Sequence, residues 1–168
     1  MSCPSEQILL TNVHIGNLQV FSARCHDAGK QVFVHVDMIG GFRPDRDGIR
    51  LLKNMYGVRG IFSHNSQILA TAKKTGLVAI QRLLLMDSRS LERGLHILQD
   101  SRPDGIEVLP GVLAVRKATD IAAESGTTQL IAGGMIESGE QAKEVFDAGY
   151  QAITSSCKDL WNLRPTRA

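Results

Sequence analysis

The 168-residue chain is poor in aromatic side chains, with one Trp, two Tyr and five Phe. So few rings leave the base-stacking platforms of the common RNA modules without material. Cysteine is scarce too: Cys3, Cys25 and Cys157 are odd in number and share no CxxC or Cys/His spacing. This argues against a disulfide framework or a zinc site, and free thiols in a reducing cytoplasm are expected. Cys25 falls on an apolar stripe and reads as core rather than reactive. No apolar run approaches the roughly 20 residues that span a bilayer. Ser5, Glu6 and Gln7 interrupt the stretch where a signal peptide would carry its apolar region. Neither sign of charge dominates, since 19 basic residues face 17 acidic ones. That balance announces no nucleic-acid binder, although a basic face can sit within a near-neutral total. The expectation is a cytoplasmic chain forming one domain over residues 1–168.

What is present is a repeating order: a helical stretch, a glycine, then a short β-branched run. Gly29 precedes Val32 to Asp37, Gly57 precedes Val58 to Ser63, and Gly76 precedes Leu77 to Gln81. Gly126 precedes Gln129 to Ala132, and Gly149 precedes Gln151 to Thr154. Glycine suits the residue just past a helix, where a left-handed conformation costs it least. One helix lacks such a glycine and is stopped by Pro103 instead, before a strand from Asp104 to Leu109.

The segments between these runs have helical spacing. Leu18, Phe21, Cys25 and Ala28 fall on one face of the first, and Leu91, Leu95 and Leu98 on one face of the fourth. Ser88 is expected as the N-cap of that fourth helix. Ser138 with Gln141 reads as a capping box, opening a helix whose Ala142, Val145 and Phe146 face inward. With a first strand from Gln7 to Val13, the chain holds seven strands, six full helices and a short last helix near Lys158 to Trp161. Strict alternation with strand centres about 19 to 27 residues apart implies parallel strands with right-handed crossovers. An open doubly wound sheet and a closed barrel both satisfy this pattern.

Polar residues locate the function. In Val32 to Asp37 the three valines share one side, and Phe33, His35 and Asp37 share the other. Gln81 and Arg82 interrupt the apolar run from Val78 to Leu85, and Glu107 interrupts Ile106 to Leu109. Charges inside strands cost several kcal/mol unless paired. Several strands carrying polar groups at similar heights imply a shared polar cavity, which a barrel places at its C-terminal mouth. The plainer reading is a structural ion pair, with Arg82 neutralising Glu107 or Asp37.

Further on, Gly133 and Gly134 end one strand, and Thr154, Ser155 and Ser156 end the next, just before the short last helix. Glycines admit close approach of backbone amides to a ligand, and barrel loops after the last two strands commonly hold phosphate. The plainer reading of the glycines is a tight strand-to-helix turn. The densest basic spots are Lys73-Lys74, Arg116-Lys117, and Arg164 with Arg167 near the end. Each also reads as a solvated helix end favoured by the helix dipole.

Taken in order, His35-Val36-Asp37, Ile80-Gln81-Arg82 with Asp87-Ser88, Ile106 to Gly111, Ala132 to Ile136 and Leu160-Trp161 form a set. Over Ile8 to Trp161 the set resembles the glycerol-3-phosphate-responsive antiterminator family of the glycerol-uptake operon. The resemblance implies a TIM-barrel-like fold with a parallel β/α barrel. It also implies binding of glycerol 3-phosphate and control of transcription termination through leader mRNA, without turnover and without a cofactor. Phosphate would sit on Gly133, Gly134, Ser155 and Ser156. The glycerol hydroxyls would meet His35, Asp37, Gln81, Arg82 and Glu107.

The chain departs from the family pattern in three places. The strand and helix that usually precede the segment matching Ile8 to Val13 are not seen, which leaves seven strands and an edge open to self-association. Gly40 stands where the family is usually acidic, and Cys157 where it often has asparagine. The competing expectation is a TIM-barrel enzyme acting on a small phosphorylated metabolite, with His35, Asp37 and Glu107 as acid-base groups.

Overall fold

Valine- and isoleucine-rich runs cut off by glycine become strands, and the amphipathic stretches between them become helices. The computed structural model describes residues 3–163. Its elements are β1 (Gln7–Leu10), α1 (Ile15–Asp27), β2 (Gln31–His35), a 3-10 turn (Val36–Met38), α2 (Arg46–Asn54), β3 (Gly60–Ser63) and α3 (Ser66–Thr75). They continue with β4 (Val78–Leu84), α4 (Ser88–Ser101), β5 (Gly105–Leu109), α5 (Gly111–Arg116) and α6 (Ala118–Ser125). The last are β6 (Gln129–Gly133), α7 (Gly139–Asp147), β7 (Ala152–Thr154) and a 3-10 helix (Lys158–Asn162). Gly29, Gly57, Gly76, Gly126 and Gly149 all take positive φ, as their places after helices require.

The chain divides into two compact units, Met1–Ile80 and Gln81–Ala168, with the boundary inside β4. In the N-terminal unit, β1 pairs with β2 and β2 with β3, all parallel, with Val34 opposite Ile61 and His35 opposite Phe62. Val32, Val34 and Val36 pack with Leu18, Cys25, Ile49, Leu52 and Leu69 in one apolar core. The valine side of β2 therefore faces the helices, as its alternation predicts.

In the C-terminal unit, β5 pairs with β6 and β6 with β7, again parallel, with Glu107 opposite Ile131 and Gly133 opposite Thr154. Ile106, Val108, Ile121, Leu130, Ala132, Ala142 and Val145 form its core. Seven strands in chain order, parallel and alternating with helices, are the parallel β/α-barrel class. No helix of the described residues is long and apolar enough to cross a membrane.

Several local expectations are corrected. The segment between β5 and β6 holds two helices rather than one, which gives seven α-helices among the described residues. A continuous helix would offer the carbonyl of Ala114 to the N–H of Ala118. Here that carbonyl accepts from Lys117 N–H at 3.2 Å and from the buried Tyr150 hydroxyl at 3.0 Å. The N-cap of α4 is Asp87, whose carboxylate accepts from Ser90 N–H at 2.7 Å, and Ser88 is the first helical residue. On α1 the buried face is Leu18, Ser22 and Cys25, while Phe21 and Ala28 are exposed. Strand β2 ends at His35, so Asp37 stands on the 3-10 turn that follows rather than on the strand. The capping box of α7, Ser138 with Gln141, is present as expected.

Candidate functional site

Alternation along β5 turns Ile106 and Val108 into the core and directs Glu107 to the other face of its strand. Glu107 is only 1% exposed. Such a carboxylate needs partners, and both of its oxygens have one. Arg82 Nε on β4 donates to Oε2 at 2.8 Å, and Thr154 Oγ1 on β7 donates to Oε1 at 2.7 Å. Of the two partners considered for Arg82, the fold selects Glu107. The Arg82 side chain remains 23% exposed. Its terminal N–H groups make no hydrogen bond to the described residues.

Gly133 lies against this network. A Cβ there would collide with Thr154 Oγ1 and stand 2.8 Å from Glu107 Oε1. Any side chain would break the contact between β5 and β7 that holds the carboxylate. Gly134 is glycine for a different reason: its φ of 73° is left-handed, and its carbonyl accepts from Gly111 N–H at 2.8 Å. Gly134 and the exposed Met135 therefore turn the chain sharply at the end of β6.

Ser155 closes the next strand end. Its hydroxyl donates to the Ile136 carbonyl at 2.8 Å and accepts from Cys157 N–H at 3.0 Å. Its own carbonyl accepts from Trp161 Nε1 at 2.9 Å, which ties the last 3-10 helix to this loop. Ser156 beside it is exposed. Gln81 is buried, and its Nε2 donates to the Arg82 carbonyl at 3.3 Å. Within the C-terminal unit the structure thus brings together Arg82, Glu107 and Gly133, with Gly134 and Ser155 on the two adjoining strand-end loops.

The N-terminal unit has a polar cluster of its own. His35 is buried and stacks on Phe62, with ring centroids 5.5 Å apart and planes at 8°. Asp37 accepts from Ser63 Oγ at 2.9 Å through Oδ1. Its Oδ2 accepts from His64 N–H at 3.2 Å and lies 3.1 Å from His64 Nδ1. Ser63 Oγ in turn accepts from Asn65 N–H at 3.0 Å, which sets Asn65 as the N-cap of α3. Sequence reasoning passed over Ser63 and His64 and read Thr154 only as part of the last strand's hydroxyl-rich end. The available signal was polar residues closing an apolar strand, the same signal that singled out His35. Among the described residues no group of three or more His, Cys, Asp or Glu is placed to hold a metal ion. Arg164 and Arg167 lie outside the described residues.

Residues 1–161 match the family described as glycerol-3-phosphate responsive antiterminator. The chain belongs to that family. Membership gives this antiterminator-family chain a regulatory role. It is 32% identical to the uncharacterized protein YgcP of Escherichia coli (strain K12) over 155 residues, covering 90% of this chain and 80% of that protein. Its fold matches the glycerol uptake operon antiterminator regulatory protein of Listeria monocytogenes str. 4b F2365 with a TM-score of 0.87 and 30% identity, covering 95% of this chain and 85% of the other. A glycerol uptake operon antiterminator-related protein of Thermotoga maritima MSB8 matches with a TM-score of 0.84 and 31% identity, covering 93% and 87% of the two chains. The orotidine 5'-phosphate decarboxylase of Pyrococcus horikoshii OT3 matches with a TM-score of 0.66 at 15% identity, covering 95% of this chain and 81% of that one. That last likeness speaks for the barrel fold alone.

Proposed function

We propose that this chain is a cytoplasmic sensor that binds glycerol 3-phosphate and then acts on the leader mRNA of glycerol-utilisation genes to prevent transcription termination. The observation that carries the reading is the Arg82–Glu107–Thr154 network beside Gly133 and Gly134. A polyol phosphate asks for two kinds of partner. Its hydroxyls need fixed hydrogen-bonding groups, which the Arg82 N–H groups supply, held in place by the buried Glu107 carboxylate. Its phosphate needs positive charge and close backbone, which the Arg82 guanidinium and the glycine turn supply. A site built for hydroxyls rejects analogues lacking them, because the buried polar groups are then left unpaired. Family membership supports the same effector and the step at transcription termination.

The test is thermal unfolding with millimolar glycerol 3-phosphate, against glycerol and inorganic phosphate separately. Ligand at 100 times its dissociation constant stabilises the native state by about 2.7 kcal/mol. A rise in Tm specific to glycerol 3-phosphate is expected. A Tm unchanged by it removes this effector. A second reading, catalysis on a small phosphorylated metabolite, draws on the Asp37–His64 pair, since a carboxylate that orients an imidazole is an acid-base arrangement. Turnover of glycerol 3-phosphate or its diesters would favour that reading over the sensor.

A further inference from the structure

Basic residues are unevenly placed at the ends where strands begin. In the N-terminal unit three connections lead from a helix into a strand, and they carry Arg24 and Lys30, Lys53 and Arg59, and Lys73 and Lys74. Against these six cations stand only Glu6 and Asp27. In the C-terminal unit the helix ends and connections before β5, β6 and β7 carry Asp100, Asp104, Glu124, Glu144 and Asp147, with Arg102.

The helix dipole favours cations at any helix C-terminus. Yet α4, α6 and α7 have no basic residue in their last turns, whereas α1, α2 and α3 all do. The dipole alone therefore does not account for the set.

The three connections are contiguous. Lys53 Nζ donates to the Thr75 carbonyl at the end of α3 at 2.5 Å. A Cβ on Gly57 would stand 2.7 Å from the His26 ring on α1. Arg59 N–H donates to the Val32 carbonyl at 2.7 Å, and the Arg59 carbonyl accepts from Val78 N–H at 3.1 Å, so Arg59 sits between the starts of β2 and β4. Arg24, Lys53, Arg59, Lys73 and Lys74 are exposed. Among the described residues Arg24, Lys30, Lys53, Arg59 and Lys74 make no ion pair. A contiguous basic surface on which these five cations lack an ion pair among the described residues fits a polyanion whose charges repeat along a backbone.

We infer that this strand-start surface of the N-terminal unit binds the phosphate backbone of RNA. The inference rests on the RNA half of the function proposed above and gives it a location. Few rings are available to stack on bases, so contact is made through charge and shape.

The experiment compares the wild-type chain with Arg24→Glu/Arg59→Glu/Lys74→Glu, with the milder Arg24→Gln/Arg59→Gln/Lys74→Gln, and with Arg116→Glu from the C-terminal unit. Binding to the leader transcript of the organism's glycerol-utilisation genes is titrated at several salt concentrations with glycerol 3-phosphate present, and the ligand-induced Tm rise reports folding. Both triple variants should keep that rise while losing at least tenfold in RNA affinity. The plot of log K against log salt should flatten by about 2 for three lost phosphate contacts. Arg116→Glu should match wild type. Triple variants that bind like wild type with an unchanged salt slope overturn the surface while leaving the RNA reading intact, as would a loss equal to that of Arg116→Glu. Wild-type chain that ignores the transcript at low salt overturns the RNA reading and this surface with it.

Discussion

Arg82 Nε and Glu107 Oε2 meet at 2.8 Å between two strands, with the carboxylate almost wholly buried. The two sides are unequal: removing Arg82 would leave a buried carboxylate short of its charged partner, whereas Arg82 itself still reaches water. Arg82→Met leaves the Glu107 charge buried with Thr154 alone and should cost about 3 kcal/mol in urea unfolding. Arg82→Met combined with Glu107→Met should recover most of that loss, since an apolar pair of similar volume carries no desolvation cost. A double variant no more stable than Arg82→Met would show that the charges are not coupled.

Gly133→Ala should act on the same network from the other side. Its Cβ would drive into Thr154 Oγ1 and crowd Glu107. Overpacking of this kind costs about 2 kcal/mol. The ligand-dependent rise in Tm should vanish with it. Gly134→Asp, titrated calorimetrically with glycerol 3-phosphate, should weaken binding through repulsion of the phosphate, and unchanged affinity would remove the glycine turn from the site.

Tyr150 links stability to alkaline pH. Burial pushes its hydroxyl up to about 12 from the ordinary 10.0. Between those values the unfolded chain has lost the phenolic proton and the native chain has kept it, so stability falls as pH rises from about 10 and levels off above about 12. The loss is on the order of 2 to 3 kcal/mol. Tyr150→Phe should remove this part of the slope in unfolding measured between pH 9 and 12. At neutral pH the same change should cost about 1 kcal/mol, because the Ala114 carbonyl loses a donor.

The three cysteines should separate by reactivity. Cys25 is fully buried on α1 and its thiol is raised by that burial, while Cys3 and Cys157 are partly exposed. A thiol reagent at pH 8 should modify two cysteines in the native protein and the third only on unfolding. Rapid modification of all three would contradict the placement of α1.

Local signals were legible where physics is local. The valines of β2 at alternate positions read as a buried face because strand side chains alternate whatever the partner. Ser138 and Gln141 read as a cap because three residues separate the two groups that satisfy each other. Asp87 and Ser88 show the limit. Both side chains can cap a helix, and the extended backbone at Asp87, with φ of −156°, decides between them. The break at Lys117 left no local trace, since Tyr150 competes for the Ala114 carbonyl from 36 residues away.

By itself the sequence determined the parallel β/α class, the strand ends that carry polar groups, and the glycines between elements. Periodicity and backbone freedom are properties of short segments. Only the tertiary structure decided which carboxylate Arg82 neutralises, and that Thr154 holds Glu107 across 47 residues. It alone gathered six cations from three separate connections onto one surface. Partners so far apart in the chain are chosen by strand order and register, which no window of neighbouring residues contains.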